Sequence, residues 1–577
     1  MANLSQLRRQ RMLAFLEKMR EQHKDDDEVL VAINEVENEI NEKKYGLVWE
    51  RHSEEVEERM VDEVPIFVED KGKEITMTDN GYNFLLEGDN LHSLHLLEKT
   101  HKEKIDVIYI DPPYNTGNKD FIFDDEAKFV GADDAFRHSK WISFMQRRLA
   151  IARRLLSETG IILVSINDIE CATLRLILDS VFGEENFIET FIWVKNSGGS
   201  LSKTTLTRHE YIICYAKNKE MVLDNDFFYM KKPGYDQVIE LVESLRNSGA
   251  TIKEAEKELR KFYKEHDELK GISLYGNIDE NWKVYRCLPI TAPNNNFYDV
   301  IHPITGKPVR TPPRGWSWSQ ETMAQKIAEG RVVFGKDESY VPSQKLYLEE
   351  ANFEHKRSTI NSDQAEGNKL LAAAIGADNS FRNSVPKPIS VLNYLFQNTP
   401  RDGIILDFFA GSGTTGQAVM ELNKEDGGNR HFILCTNNEN NICDGVTYPR
   451  LKTVITGIRP DGSKYSDGIP SDLKYYHTDY IPKNSGTLAQ DLIAHIDEMI
   501  QLEYGVKIDK EKYISILTDE DADELEKNWA NYPNIRAIYI SRHVLLTGKQ
   551  KELFGTHDCF TIPDYYFREE LREAGEA

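Results

Sequence analysis

The chain has 577 residues, 96 Asp+Glu against 71 Lys+Arg, a formal net charge of −25 and 40% hydrophobic residues. That length allows about three or four globular units with sizeable cores, and no apolar run approaches the ~18 residues of a membrane span, so no membrane role is expected. The N-terminus has no apolar signal core, and Cys171, Cys214, Cys287, Cys435, Cys443 and Cys559 show no Cys-x-x-Cys spacing. Reduced thiols, no metal site and a cytoplasmic location are the expectation.

Residues 1–80 hold 12 Lys+Arg against 21 Asp+Glu and read as acidic and mostly helical. Leu7, Leu13, Leu16 and Met19 mark one apolar stripe. Leu30, Ile33, Val36 and Ile40 mark another, stopped at Lys43-Lys44-Tyr45-Gly46. Residues 81–221 form an α/β unit. Asn83 to Leu91 leads into the apolar strand Ile105 to Ile110, Trp141 to Leu149 opens a helix, and Gly160 to Ile166 and His209 to Lys217 are further strands. Residues 222–365 begin with a charged helix, Ile252 to Lys270. They pass into Trp282–Trp318, where five basic residues face the single acid Asp299. Residues 366–482 form a second α/β unit: Pro386-Lys387-Pro388 before a helix, a strand to Asp407, a glycine turn, a helix, and the strand His431 to Cys435 leading to Glu439. Residues 483–577 read as a small separate α/β module, with a strand at Ile535 to Ile540. No fixed-period repeat is present.

Two segments carry chemistry. Asp111-Pro112-Pro113-Tyr114 ends an apolar strand; its prolines fix φ and remove two N–H donors, so the carbonyls of Asp111 and Pro112 have fewer local partners. With a carboxylate and an aromatic face beside them, they suit the exocyclic amine of a base taken out of its stack. A proline-stiffened turn is the plain alternative. At Phe409-Ala410-Gly411-Ser412-Gly413-Thr414, glycines let the backbone approach a ligand, and the following helix begins with free N–H groups. Glu439 is spaced to accept from ribose hydroxyls, or is a solvated loop acid.

Phe409-Ala410-Gly411-Ser412-Gly413 resembles the F-x-G-x-G motif of S-adenosylmethionine-dependent methyltransferases, and Asp111 to Tyr114 resembles the D-P-P-Y of enzymes that methylate exocyclic amines of DNA. Because D-P-P-Y comes first, the order is that of the β class. Over roughly residues 45–480 the chain looks like the modification (Mod) subunits of type III restriction-modification systems. The resemblance implies a circularly permuted Rossmann-like α/β fold with an inserted target-recognition domain at 222–365, a helical N-terminal addition and an α/β C-terminal addition. It implies methyl transfer from S-adenosylmethionine to adenine N6 in double-stranded DNA. Asp111, Pro112, Pro113 and Tyr114 would be catalytic; Asp407, Phe409, Gly411, Gly413, Thr414, Glu439 and Lys387 would hold the cofactor. Lys387 is equally readable as a surface charge. A homodimer and an ATP-dependent helicase-nuclease partner are implied too. N4-cytosine methylation, RNA or protein-glutamine methylation, an orphan methyltransferase and an inactive specificity subunit stay open; Asp111 favours adenine over cytosine.

Against the acidic whole, Lys283, Arg286, Lys307, Arg310 and Arg314, with Tyr285, Phe297, Tyr298, Trp316, Trp318 and Asn294-Asn295-Asn296, suit phosphate contact, base-edge bonding and stacking. The same aromatics equally suit a small core of their own. His209, at a strand start, reads as structural.

Overall fold

The computed structural model describes residues 4–23, 27–41, 49, 52–117, 121–124, 128–131, 133–196, 200–201, 205–266, 269, 271–376, 386–562 and 566–573. Ten strands make one central sheet: β1 (Glu63–Glu69), β2 (Tyr82–Glu87), β3 (Ile105–Ile110), β4 (Leu156–Ile166), β5 (Phe187–Lys195), β6 (His209–Ala216), β7 (Thr359–Ser362), β8 (Ile404–Asp407), β9 (His431–Thr436) and β10 (Asp472–Pro482). Their spatial order is β1-β10-β2-β9-β8-β3-β4-β6-β5-β7. From β10 to β4 every neighbour is parallel; β1 runs antiparallel to β10, and β6 antiparallel to both β4 and β5.

The parallel strands are apolar on both faces because helices cover both. In β3, Ile108 and Ile110 join one core and Val107 and Tyr109 the other, as period-two alternation requires. The helices Asn90–His101 and Arg137–Leu155 contribute Leu94, Leu97, Trp141, Met145 and Leu149 to the first core. On the opposite face, Ile389–Phe396, Thr414–Asp426 and Tyr448–Thr456 contribute Leu392, Leu395, Val419 and Leu451. Trp141 is fully buried, and a large aromatic lost from such a site costs about 3–5 kcal/mol.

At the ends of the chain the structure departs from the sequence reading. Residues 1–80 include the helices Leu4–Gln22 and Asp27–Asn41, with Ile33 buried and Val36 exposed. Yet Glu63–Glu69 is an edge strand of the central sheet, where β10 supplies its hydrogen-bonding partner. Lys43 to Gly46 lies outside the described residues. The C-terminal module is not separate. Its parallel strands Tyr513–Ile516, Ala537–Ser541 and Asp558–Ile562 pack one face on a core with Ile516, Ile538 and Phe554. Ala537 and Tyr539, on the other face, join the first central core together with Met499 and Leu502.

Within 222–365, the helices Tyr235–Asn247 and Ile252–Glu265 pack on a four-stranded antiparallel sheet ordered Asn277–Ile278, Val284–Pro289, Ser343–Tyr347, Val332–Val333. A capping box between Thr251 and Glu254 starts the second helix. β7, near the end of this stretch, pairs parallel with β5 and so belongs to the central sheet.

Candidate active site

The register Leu406↔Ile108 sets β8 beside β3, so the chain leaves both strands at the same sheet edge. Asp111-Pro112-Pro113-Tyr114 and the glycine turn therefore emerge side by side, although nearly three hundred positions separate them. Crevices outside the carboxyl ends of parallel strands are where open α/β sheets bind ligands. The cleft here is lined by Tyr109, Asp111, Lys387, Asp407, Phe409 and Gly411, with Thr414 behind them.

The turn after β3 is pinned from behind. The Trp141 indole N–H donates to the Pro113 carbonyl at 2.7 Å. Asn115, at φ 55°, donates from Nδ2 to the buried Glu170 at 2.6 Å and to the Arg137 carbonyl at 3.1 Å. In front, the Tyr114 hydroxyl lies 2.8 Å from Asp111 Oδ1 and 3.0 Å from Glu210 Oε2. Among the described residues no donor reaches Asp111 Oδ2 or the Pro112 carbonyl. Burial pushes the Asp111 carboxyl above the usual range; Lys387 opposes that shift and Glu210 adds to it. Burial, with Asp111 and Glu210 nearby, holds the Tyr114 phenol well above its ordinary range.

On the cofactor side, Gly411 stands at φ 48° and Gly413 at φ 75°, conformations in which glycine avoids the Cβ penalty. Gly413 begins the helix Thr414–Asp426, and no side chain caps it. A Cβ on Gly411 would meet only the Phe409 carbonyl, at 3.8 Å, so the backbone there is open to close approach. Asp407 accepts from the Phe409 N–H at 3.0 Å and from the Thr415 hydroxyl at 2.5 Å, and burial pushes its carboxyl up to about 7. Open glycines, an uncapped helix start and an adjoining aromatic fit the amino-acid and nucleoside parts of S-adenosylmethionine.

Lys387 lines this cleft, but its ammonium is turned toward the turn after β3. It donates to the Tyr114 hydroxyl at 2.5 Å and to Glu210, and lies 3.4 Å from Asp111 Oδ1. Glu439 stands exposed on a short turn after β9 and is not among the cleft residues.

Three supporting groups escaped the sequence reading. Arg450, fully buried, donates to the Ser412 carbonyl at 3.2 Å, the Thr414 hydroxyl at 2.7 Å and Gln417 Oε1 at 2.9 Å. Asn90 donates to the Phe408 carbonyl at 2.8 Å and is itself held by Arg148, which pairs with Glu54 at 2.9 Å. Glu210 had a signal, a carboxylate interrupting the apolar strand β6; Arg450 had none.

In the insertion, Lys283 pairs with Glu349 at 2.8 Å, Lys307 with Glu338 at 3.1 Å, and Arg286 lies over the Tyr275 ring at 5.2 Å. Arg310 and Arg314 are exposed. Trp316 is buried and, with Tyr298 and Trp318 against it, builds a small core containing Ile290 and Met323, so those aromatics serve packing; Phe297 is exposed. His209 shares a hydrogen bond with Tyr211 at 2.9 Å, away from the Asp111 cluster. Among the described residues no His/Cys/Asp/Glu group could hold a metal ion, and no helix is long and apolar enough to cross a membrane.

A doubly wound sheet with a glycine turn and a D-P-P-Y turn on adjacent strand ends defines the class: a Rossmann-like, S-adenosylmethionine-dependent methyltransferase fold in permuted order. The chain belongs to the N6/N4 DNA methylase family, whose profile matches residues 105–447. It is 31% identical over 440 residues to the EcoP15I Mod subunit of a type III restriction-modification enzyme from Escherichia coli, covering 70% of this chain and 66% of that protein. It is 30% identical to the StyLTI Mod subunit of Salmonella typhimurium, covering 71% of this chain and 62% of that protein. With the type II methyltransferase M.KpnI of Klebsiella pneumoniae it shares 32% identity over 70% of this chain and 93% of that protein. The chain thus spans somewhat under two thirds of the length of the two Mod subunits. Among solved structures it is similar to the PvuII cytosine-N4-specific DNA methyltransferase at 12% identity and TM-score 0.29, over 62% of this chain and 83% of that one.

Proposed function

We propose that this protein transfers a methyl group to adenine N6 of a flipped base in double-stranded DNA. It does so as the modification and specificity subunit of a type III restriction-modification system in the cytoplasm. The observation that carries the chemistry is a pair of acceptors that no donor reaches among the described residues, Asp111 Oδ2 and the Pro112 carbonyl, at the cleft edge beside the glycine turn. An exocyclic amine has two N–H bonds and a lone pair delocalised into its ring. Asp111 and Pro112 accept the two N–H bonds and so localise that lone pair, Tyr114 offers its ring face to the base, and Pro113 keeps the turn rigid. S-adenosylmethionine, when bound, supplies a methyl already activated as a sulfonium. Asp407, Phe409, Gly411, Gly413 and Thr414 hold the donor in line with the amine, and positioning with matched electrostatics supplies the rate.

Lys387 serves the base side of this cleft more directly than the methionine carboxylate, since Tyr114 and Glu210 hold its ammonium. Glu439 reaches the ribose only if its turn closes over the cleft. Residues 222–365 read the DNA word; Arg310 and Arg314 are the basic side chains best placed to touch phosphate, because Lys283 and Lys307 are paired. A homodimer and a helicase-nuclease partner complete the assembly, as the likeness to Mod subunits supports.

Labelled S-adenosylmethionine with double-stranded DNA tests the activity, and methylation-sensitive long-read sequencing of an expressing host gives base and site. Label on N6-methyladenine at a short asymmetric site is expected; label only on cytosine N4, or only on RNA, would overturn the substrate. Co-purification from the native host tests the partner, and elution alone would favour an orphan methyltransferase.

A further inference from the structure

Glu210 lies on β6 opposite Trp193 of β5, where a strand of this kind would otherwise carry an apolar residue. Its two oxygens are engaged separately: Oε1 accepts from Lys195 at 2.5 Å, while Oε2 accepts from Lys387 and lies 3.0 Å from the Tyr114 hydroxyl. Lys387 in turn sits 5.1 Å above the rings of both Tyr114 and Trp193. Two lysines and one phenol thus converge on a single, largely buried carboxylate next to the catalytic turn.

The Tyr114 hydroxyl has one proton and two carboxylates within reach. Donated to Asp111 Oδ1, that proton draws charge from the carboxylate whose other oxygen, Oδ2, is to accept from the incoming amine. Donated to Glu210, it leaves the Asp111 charge undiminished, and the Tyr114 ring is then held from its hydroxyl end while its face stays open. We propose that Glu210 is a positioning residue for methyl transfer: it shares the Tyr114 hydroxyl and the Lys387 ammonium with Asp111 Oδ1, so that Asp111 keeps more of its charge for the target amine at Oδ2. This inference rests on the methyl-transfer reading above. The two lysines also hold the Glu210 carboxyl near 2, so it is ionised throughout the working range and always ready to accept.

The charged and titratable groups around this carboxylate are Lys195 from β5, Lys387 from the loop before Ile389–Phe396, Tyr114 and Asp111 from the turn after β3, and, beyond Asp111, Asp407 from β8. Removing the Glu210 charge leaves Lys387 to pair with Asp111 alone. Asp111 then ionises at lower pH and, with Oδ1 engaged by both groups, accepts less strongly at Oδ2.

The test compares wild type, Glu210→Gln and Glu210→Asp for kcat, KM for S-adenosylmethionine and the pH profile of kcat on methylatable DNA. For Glu210→Gln the expected result is a fall in kcat of about 30-fold, the effect of one charge-assisted hydrogen bond. Its KM should stay unchanged and the acid limb of the profile should move to lower pH. Glu210→Asp keeps the charge and should recover part of kcat, with the limb at the wild-type position; it decides the matter if Glu210→Gln does not fold. Unchanged kcat in Glu210→Gln, or a loss with the acid limb unmoved, would overturn the inference alone. A Glu210→Asp enzyme as slow as Glu210→Gln would do the same. Wild-type protein that transfers no methyl to DNA would overturn the activity reading and this inference with it.

Discussion

Asp111 and Asp407 stand at the carboxyl ends of the neighbouring parallel strands β3 and β8, and the charge of Asp111 helps push the Asp407 carboxyl up. In the proposed reaction Asp111 faces the group to be methylated, while Asp407 anchors the glycine turn through the Phe409 N–H and the Thr415 hydroxyl. Their adjacency is what makes one cleft of two distant motifs.

Asp111→Ala should lower methyl transfer by about a thousandfold or more, because it removes a hydrogen-bonding and proton-handling group from the reacting amine. Binding of S-adenosylmethionine, followed by calorimetric titration, should persist, since the glycine turn keeps its own supports. Undiminished turnover would remove the mechanism.

Gly413→Ala places a Cβ 3.1 Å from Thr447 Cγ2 at φ 75°. A left-handed non-glycine residue with a tight contact costs about 1–3 kcal/mol. Denaturant unfolding should report that loss, and the affinity for S-adenosylmethionine should fall as the helix start shifts.

Arg450→Met should destabilise the protein by about 2–4 kcal/mol, because buried acceptors at Ser412, Thr414 and Gln417 lose their donor. The aliphatic stem fills part of the volume, so the loss measured by denaturant unfolding isolates the polar contribution. A variant as stable as wild type would mean that the turn stands without this brace.

Asp407 governs a pH dependence of opposite sign to the usual carboxylate. Its folded pKa of about 7 lies above the unfolded value of about 4, so ionised Asp407 opposes folding. Its penalty is absent below about pH 4, grows as the pH rises, and is complete above about pH 7, reaching about 4 kcal/mol. Asp407→Asn keeps an acceptor for the Phe409 N–H and lacks the charge. Its stability relative to wild type should therefore rise across this window in denaturant unfolding at several pH values. A pH-independent difference would refute the assignment.

Much of the sheet was legible in the amino-acid order. Ile105 to Ile110, Gly160 to Ile166, His209 to Lys217 and Ile404 to Asp407 are short apolar runs bounded by polar or turn residues, and each is a strand. Glu63–Glu69 was overlooked: Val64-Pro65-Ile66-Phe67-Val68 is likewise an apolar run bounded by acids, with a proline that suits an edge strand, but it lies in a stretch whose acidic, helical character masked it. The role of Trp316 was undecidable, since aromatic character suits a base stack and a small core equally well; burial among Ile290 and Met323 decided it.

By itself, the sequence determined the chemistry available: a carboxylate and two carbonyls after a strand, glycines before a helix, and their order along the chain. Those are local properties, set by proline, glycine and apolar periodicity. Only the tertiary structure decided who meets whom. It set β8 against β3, turned Lys387 toward Tyr114, brought Glu210 and Lys195 in behind it and placed Arg450 under the glycine turn. Such contacts depend on strand register and burial across hundreds of residues, where no local pattern records the partner.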